Sequence, residues 1–305
     1  MMPFVGHTQP VRCVAFTPDG GTLVSGGDDG NVIVWDRDAG RPRLTLATGK
    51  PSERSVACHP DGERFLSGYR YQTRRAKPDR LRFWSVGTGL PAAVGGRRGG
   101  LPELVVESCD TVGDLQFLPD GRSVAYTQHL FGRAVLSTLE PRPEPIESWL
   151  TRRAAVTALA LSADGLTAAV ASSQYVRFGR LDAAKVPPGY AARGAVQSLS
   201  LSPDGSRLAG TWGNCVTVWE TAGGREVRDF AGHAAAVAAV AYKPDGSLSA
   251  SAGLDGRVLL WEPDGGVARA AYDWNLGPVH ALAFSPDCLT LAVAGEGGLV
   301  LIDLE

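Results

Sequence analysis

The sequence predicts an all-β fold built from seven copies of one unit, and three observations predict it. A turn signal, Pro-Asp-Gly, recurs along the chain as Pro18-Asp19-Gly20, Pro60-Asp61-Gly62, Pro119-Asp120-Gly121, Pro203-Asp204-Gly205 and Pro244-Asp245-Gly246, with decayed copies at Ala163-Asp164-Gly165 and Pro286-Asp287-Cys288. The third residues of successive copies lie 42, 59, 44, 40, 41 and 42 residues apart. A period in the low forties therefore holds everywhere but in one interval, which must carry an insertion. The segments flanking each turn are short apolar runs bounded by Gly, Pro, Asp or Ser, with no sustained helical period.

Each unit reads as strand, turn, strand, turn, strand. The first strands are Val11–Phe16, Val112–Leu118, Val156–Leu161, Val196–Leu201, Val237–Tyr242 and Val279–Phe284. The turn follows: Pro presets φ, Asp bonds back to the next backbone amides, and Gly accepts a positive φ. Second strands then run over Thr22–Ser25, Ser123–Tyr126, Leu166–Ala171 and Leu289–Ala294. Third strands are Val32–Trp35, Leu81–Trp84, Val176–Phe178, Val216–Trp219, Val258–Trp261 and Leu299–Ile302. These runs suit buried strands better than helices.

Composition removes whole classes of function. With 44% hydrophobic residues and a net charge of −2, the 305-residue chain can build a core and is neither a disordered tail nor a general polyanion binder. Met1–Pro10 lacks the basic start and apolar run of an export signal, and no stretch of apolar residues is long enough to span a bilayer. The expectation is a cytoplasmic protein with no membrane attachment. Five cysteines (Cys13, Cys58, Cys109, Cys215, Cys288), each at least 45 residues from the next, form no paired metal or redox motif and read as isolated thiols in a reducing compartment. The 26 Arg against 4 Lys point to GC-rich coding and a bacterial source.

Two units share a further pattern. Gly6-His7, Ser25, Asp29 and Trp35-Asp36 match Gly232-His233, Ser251, Asp255 and Trp261-Glu262, with identical offsets of 18, 4 and 6 residues from His to Ser to Asp to Trp. In these residues the chain resembles the WD-repeat (WD40) family of β-propellers. The resemblance implies a seven-bladed β-propeller of four-stranded antiparallel blades, filling residues 1–305 as a single domain. It also implies a buried relay in which Asp orients the His ring, His meets the Ser hydroxyl, and Ser meets the Trp indole N–H. Other units keep only parts. The second has Lys50 in place of His but retains Ser67 and Trp84; the fifth has Trp219-Glu220 with Gly213-Asn214 in place of Asp; the third, fourth and seventh lack the Trp. The last unit shows three strands, and Met2–Val5 precedes the first Gly-His where an outer strand belongs. The amino-terminal segment is therefore expected to complete the last blade, removing exposed sheet edges.

No linear catalytic, phosphate-binding or dinucleotide motif occurs, and the five histidines form no metal-ligand spacing. The chain is read as non-enzymatic, with no cofactor and no metal. It is read as a monomeric scaffold presenting a protein or peptide partner with a face around the propeller axis. An enzyme site assembled from loops at the channel mouth is the rival that needs no linear motif. The insertion is the most distinctive feature. Gly62 lies 22 residues before Trp84, against 15 from Gly20 to Trp35, so seven extra residues fall within 69–82. This segment carries Arg70, Arg74, Arg75, Lys77, Arg80 and Arg82 against Asp79, a net +5. It reads either as a grip for a nucleic acid, phosphate or other anionic ligand, or as a solvated loop. Trp212 and Leu254, at turns equivalent to that of Asp28, are candidate apolar anchors, and Arg12, Arg54 and Arg153, near the starts of innermost strands, are candidates for the same rim.

Overall fold

The computed structural model describes residues 2–48, 52–69, 80–91, 103–105, 112–128, 133–139, 145–148, 156–173, 175–182, 188–191, 193–263, 265 and 267–304. Among them it contains strands and turns and no helix. After β1 (Met2–Phe4), the first blade is β2 (Val11–Phe16), β3 (Thr22–Gly27), β4 (Asn31–Asp36) and β5 (Arg41–Ala47). The second is β6 (Glu53–Cys58), β7 (Arg64–Tyr69), β8 (Arg80–Ser85) and β9 (Glu103–Val105). The third is β10 (Val112–Phe117), β11 (Ser123–Gln128), β12 (Arg133–Thr138) and β13 (Pro145–Ser148). The fourth is β14 (Val156–Leu161), β15 (Thr167–Ser172), β16 (Tyr175–Arg180) and β17 (Gly189–Ala191). The fifth is β18 (Val196–Leu201), β19 (Arg207–Trp212), β20 (Cys215–Glu220) and β21 (Glu226–Ala231). The sixth is β22 (Val237–Tyr242), β23 (Ser249–Gly253), β24 (Arg257–Trp261) and β25 (Ala268–Asp273), and the last has β26 (Val279–Phe284), β27 (Thr290–Gly295) and β28 (Gly298–Asp303).

Each blade is a four-stranded antiparallel meander, and the seventh is completed by β1, which pairs with β28 through Met2–Leu301, Pro3–Val300 and Phe4–Leu299. First strands of successive blades touch all the way round, β2 to β6 and onward to β26 and back to β2. They therefore line the axis of a seven-bladed β-propeller. The second strands are buried throughout in the first, third and seventh blades, whereas the outer β5 and β25 alternate between exposed and half-buried. The core thus lies between blades and toward the axis.

The strand facing the axis has one edge without a ladder partner, and in the fourth and sixth blades side chains of the preceding blade cap it. Asp114 accepts the Leu159 amide at 2.7 Å and Gln116 accepts that of Leu161 at 2.9 Å; Ser198 and Ser200 accept those of Val240 and Tyr242. Backbone donors there would otherwise be orphaned.

The Pro-Asp-Gly turns stack in the same sense. Gly62 faces Pro18, Gly165 faces Pro119 and Gly246 faces Pro203, and Gly20 faces Pro286 across the joint between last and first blades. Arg37 ties that joint by donating to Asp287 at 2.6 Å and to Gly20 O at 3.2 Å. Six of the seven turns place glycine at φ between 63° and 74°, and the seventh puts Cys288 there at 63°.

Candidate functional site

In the first blade, Trp35 Nε1–H donates to Ser25 Oγ at 2.7 Å, and the Ser25 hydroxyl donates to His7 Nε2 at 2.8 Å. The His7 Nδ1–H faces the Asp29 carboxylate at 3.0 Å, which also accepts the amides of Thr8 and Asn31. The sixth blade repeats this with Trp261 to Ser251 at 2.7 Å, Ser251 to His233 at 2.9 Å and His233 to Asp255 at 3.0 Å. Burial opposes ionisation of Asp29 and Asp255, but the backbone amides and the histidine hold both carboxyls below the usual range. Both histidine side chains are almost wholly buried. Every polar atom of the relay has a partner, so its hydrogen bonds fix how the strands of the blade sit against one another. The second blade keeps the Trp84 to Ser67 bond at 3.0 Å.

Each relay is roofed by an aromatic from the preceding blade. Phe4 packs edge-on against Trp35 with centroids 5.3 Å apart, and Phe230 packs against Trp261 at 4.8 Å. Both stand two residues before the Gly of Gly-His. A Cβ on Gly6 would come within 2.7 Å of the Trp35 ring, which is why the chain narrows to glycine there. The Phe-x-Gly-His spacing was available in the sequence as the signal for this contact.

All seven first strands carry a bulge at their start, with the register slipping between Val11 and Cys13, Glu53 and Ser55, and equivalently in the other blades. The bulge frees the second residue from the ladder at the mouth of the channel, on the face of the relays. Those residues are Arg12, Arg54, Gly113, Thr157, Gln197, Ala238 and His280. Among the described residues the mouth is therefore lopsided: cationic and imidazole groups come from the seventh, first and second blades, small or neutral groups from the rest.

The polar half is tightly knit. Arg12 Nε donates to Asp28 at 2.6 Å, its Nη2 pairs with the same carboxylate, and its Nη1 donates to His280 Nε2 at 2.7 Å. Asp28 also accepts the Ser52 hydroxyl at 2.6 Å and faces Arg54 Nη2 at 3.8 Å. Burial opposes, but these hydrogen bonds and the two guanidinium groups hold the Asp28 carboxyl low. Beneath it, burial and the nearby Glu53 push the Cys13 thiol far up, making it inert.

Of the other residues singled out from sequence, Leu254 is 43% exposed in the turn after β23. Trp212 ends β19 half-buried and clamped: its indole donates to Thr217 at 2.7 Å, Thr217 donates to Asp229 at 2.5 Å, and the Arg193 guanidinium lies 5.7 Å above the ring while pairing with Asp229 and Glu226. The fifth blade thus carries its own polar chain. Arg70, Arg74, Arg75, Lys77 and Arg153 lie outside the described residues, and Arg80 is described only as backbone in β8. Among the described residues no three His, Cys, Asp or Glu side chains are grouped to hold a metal, and no helix is long and apolar enough to cross a membrane.

Seven four-stranded blades around an axis, two of them locked by Asp-His-Ser-Trp relays, define a relay-bearing β-propeller. The family model for the WD domain, G-beta repeat, matches residues 1–36, 186–220 and 224–262, so these three segments are similar to WD repeats. The chain is similar to an uncharacterized WD repeat-containing protein of the cyanobacterium Synechocystis sp. (45% identical over 65 residues, 21% of this chain and 19% of that protein). It also resembles WD repeat-containing protein 1-B of Xenopus laevis (28% over 266 residues, 82% and 39%). A third similarity is to the small ribosomal subunit protein RACK1 of Candida albicans (40% over 43 residues, 14% of each). The chain spans less than two-fifths of the length of each of these relatives. Propellers of this family generally act as protein-interaction scaffolds.

Proposed function

We propose that residues 1–305 form one non-catalytic domain that holds a protein or peptide partner across the channel mouth, on the face of the relays. The observation that carries this reading is the lopsided mouth: Arg12, Arg54, Asp28 and Ser52 are fixed by one another on one side, with Leu254 exposed on the same face. Preorganised polar groups beside an apolar contact recognise a partner at low ordering cost. Arg54, at 31% side-chain exposure, is the member of the cluster most open to it. Capture from a lysate of the source cells should enrich a partner on the wild type and lose it on Arg54→Ala combined with Leu254→Ala. Equal enrichment on both, or none on either, removes the proposal.

The net +5 of segment 69–82 supports a second reading, an anionic ligand held by Arg70, Arg74, Arg75 and Lys77. Retention on an immobilised polyanion should then fall steeply with salt and be lost in Arg74→Ala combined with Arg75→Ala. Retention unaltered by those changes counts against it.

A further inference from the structure

The seventh blade is joined to the first without a covalent link beyond the path from β1 to β2: β26, β27 and β28 reach it only through packing and hydrogen bonds. Two of the bulge residues meet at this joint. Arg12 Nη1 donates to His280 Nε2 at 2.7 Å, an acceptor role open only to the neutral ring with its proton on Nδ1. Arg12 cannot turn away without abandoning Asp28, which binds it through both Nε and Nη2 and is itself held by Ser52.

We propose that His280 and Arg12 form a proton-sensitive latch across the ring-closing joint. The neutral imidazole ties the innermost strand of the last blade to that of the first, and protonation releases it. Once Nε2 carries a proton it has no lone pair for Arg12, and an imidazolium stands against a guanidinium pinned in place. The charged groups facing the ring are Arg12 from β2, Asp28 from the turn after β3, Arg54 from β6 and Glu296 from the turn after β27. On its other side β22 brings Val237, Ala238 and Ala239, none of which titrates.

Burial first, then Arg12, lowers the tendency of His280 to take a proton, while Glu296 and Asp28 pull weakly the other way. The unfolded chain therefore protonates first as the pH falls through about 6.5. The stability contributed by the latch is complete above that pH and is lost as the pH falls toward the folded value.

The test needs no partner, so it fails independently of the proposed scaffold role. The His280 ring is titrated by nuclear magnetic resonance between about pH 4 and 8 in the wild type and in Arg12→Gln. Urea unfolding is followed at about pH 7.5 and about pH 5 in the wild type and in His280→Gln, whose amide oxygen accepts from Arg12 at either pH. The ring should titrate below its ordinary value and rise in Arg12→Gln. The folding constant of the wild type should fall more than that of His280→Gln, about tenfold for each pH unit separating the folded and unfolded rings. A ring titrating at or above its ordinary value, or equal pH dependence in wild type and His280→Gln, overturns the latch. If His280→Gln does not fold, the wild-type titration decides.

Discussion

Removing the Phe4 ring should weaken the ring closure by an amount that the sixth blade calibrates. Phe4 is 4% exposed, its strand contributes three residue pairs to the last blade, and its ring lies against Trp35 of the first. It belongs to a core cluster with Ile33 and Trp35 on one side of the joint and Leu299 and Leu301 on the other. Truncating a buried Phe to Ala costs about 3–5 kcal/mol when the surroundings cannot collapse. A three-residue edge strand can yield somewhat, so about 3 kcal/mol is expected for Phe4→Ala. Phe230→Ala removes the same ring from the same place over Trp261, at an internal joint, and should cost about as much. Val5→Ala, at a site 81% exposed, should change stability by under about 0.5 kcal/mol. Urea unfolding followed by tryptophan fluorescence reads all three, and a smaller denaturant slope in Phe4→Ala alone would report a ring that opens before it unfolds. If Phe4→Ala matches the wild type while Phe230→Ala loses about 3 kcal/mol, β1 does not close the ring in solution.

Ser25→Ala leaves the Trp35 indole N–H and His7 Nε2 buried without partners, and about 2–4 kcal/mol should be lost; a melting temperature equal to the wild type would show the relay to be ornamental. Asp114 is held by burial at about 6, partly offset by the Leu159 amide, against an ordinary 3.8. Its ionisation therefore destabilises the fold as the pH rises through 6, so Asp114→Asn should be the more stable form at pH 8, by up to about 3 kcal/mol, with the advantage gone by about pH 4. Unfolding curves that run parallel at every pH would refute this. Cys288→Gly relieves the one left-handed non-glycine residue among the seven equivalent turns and should stabilise by about 1 kcal/mol, read by the same urea curves; a loss of stability would mean the thiol packs better than its backbone suffers.

The turns and most strands were legible because their causes are local. Pro-Asp-Gly specifies its own backbone, and a run such as Val279–Phe284 is apolar whatever surrounds it. The innermost strand of the second blade escaped because β6 begins with Glu53 and Arg54, where the other six begin with Val, so no apolar run marks it. Outer strands such as β5 escaped for the opposite reason: they are half solvent-facing and carry no continuous apolar signal. The relay residues were legible as fixed offsets, since strand length and turn length set those offsets within one blade.

Contacts between blades had no such trace. Arg12 and His280 are 268 residues apart, and their equivalence by repeat position said nothing of a 2.7 Å contact. Trp212 read as a loop-tip anchor because its neighbours in sequence are Gly213 and Asn214. What clamps it are Arg193, Thr217 and Asp229, brought together only once three segments of the blade have paired. The chain's own residues decided that there would be seven antiparallel units with glycine or a strained substitute at each turn, because those choices are made over a few bonds. Which side chains meet across the seams, and so the lopsided charge of the mouth, was decided only when the ring closed, because closure alone brings the last first-strand against the first.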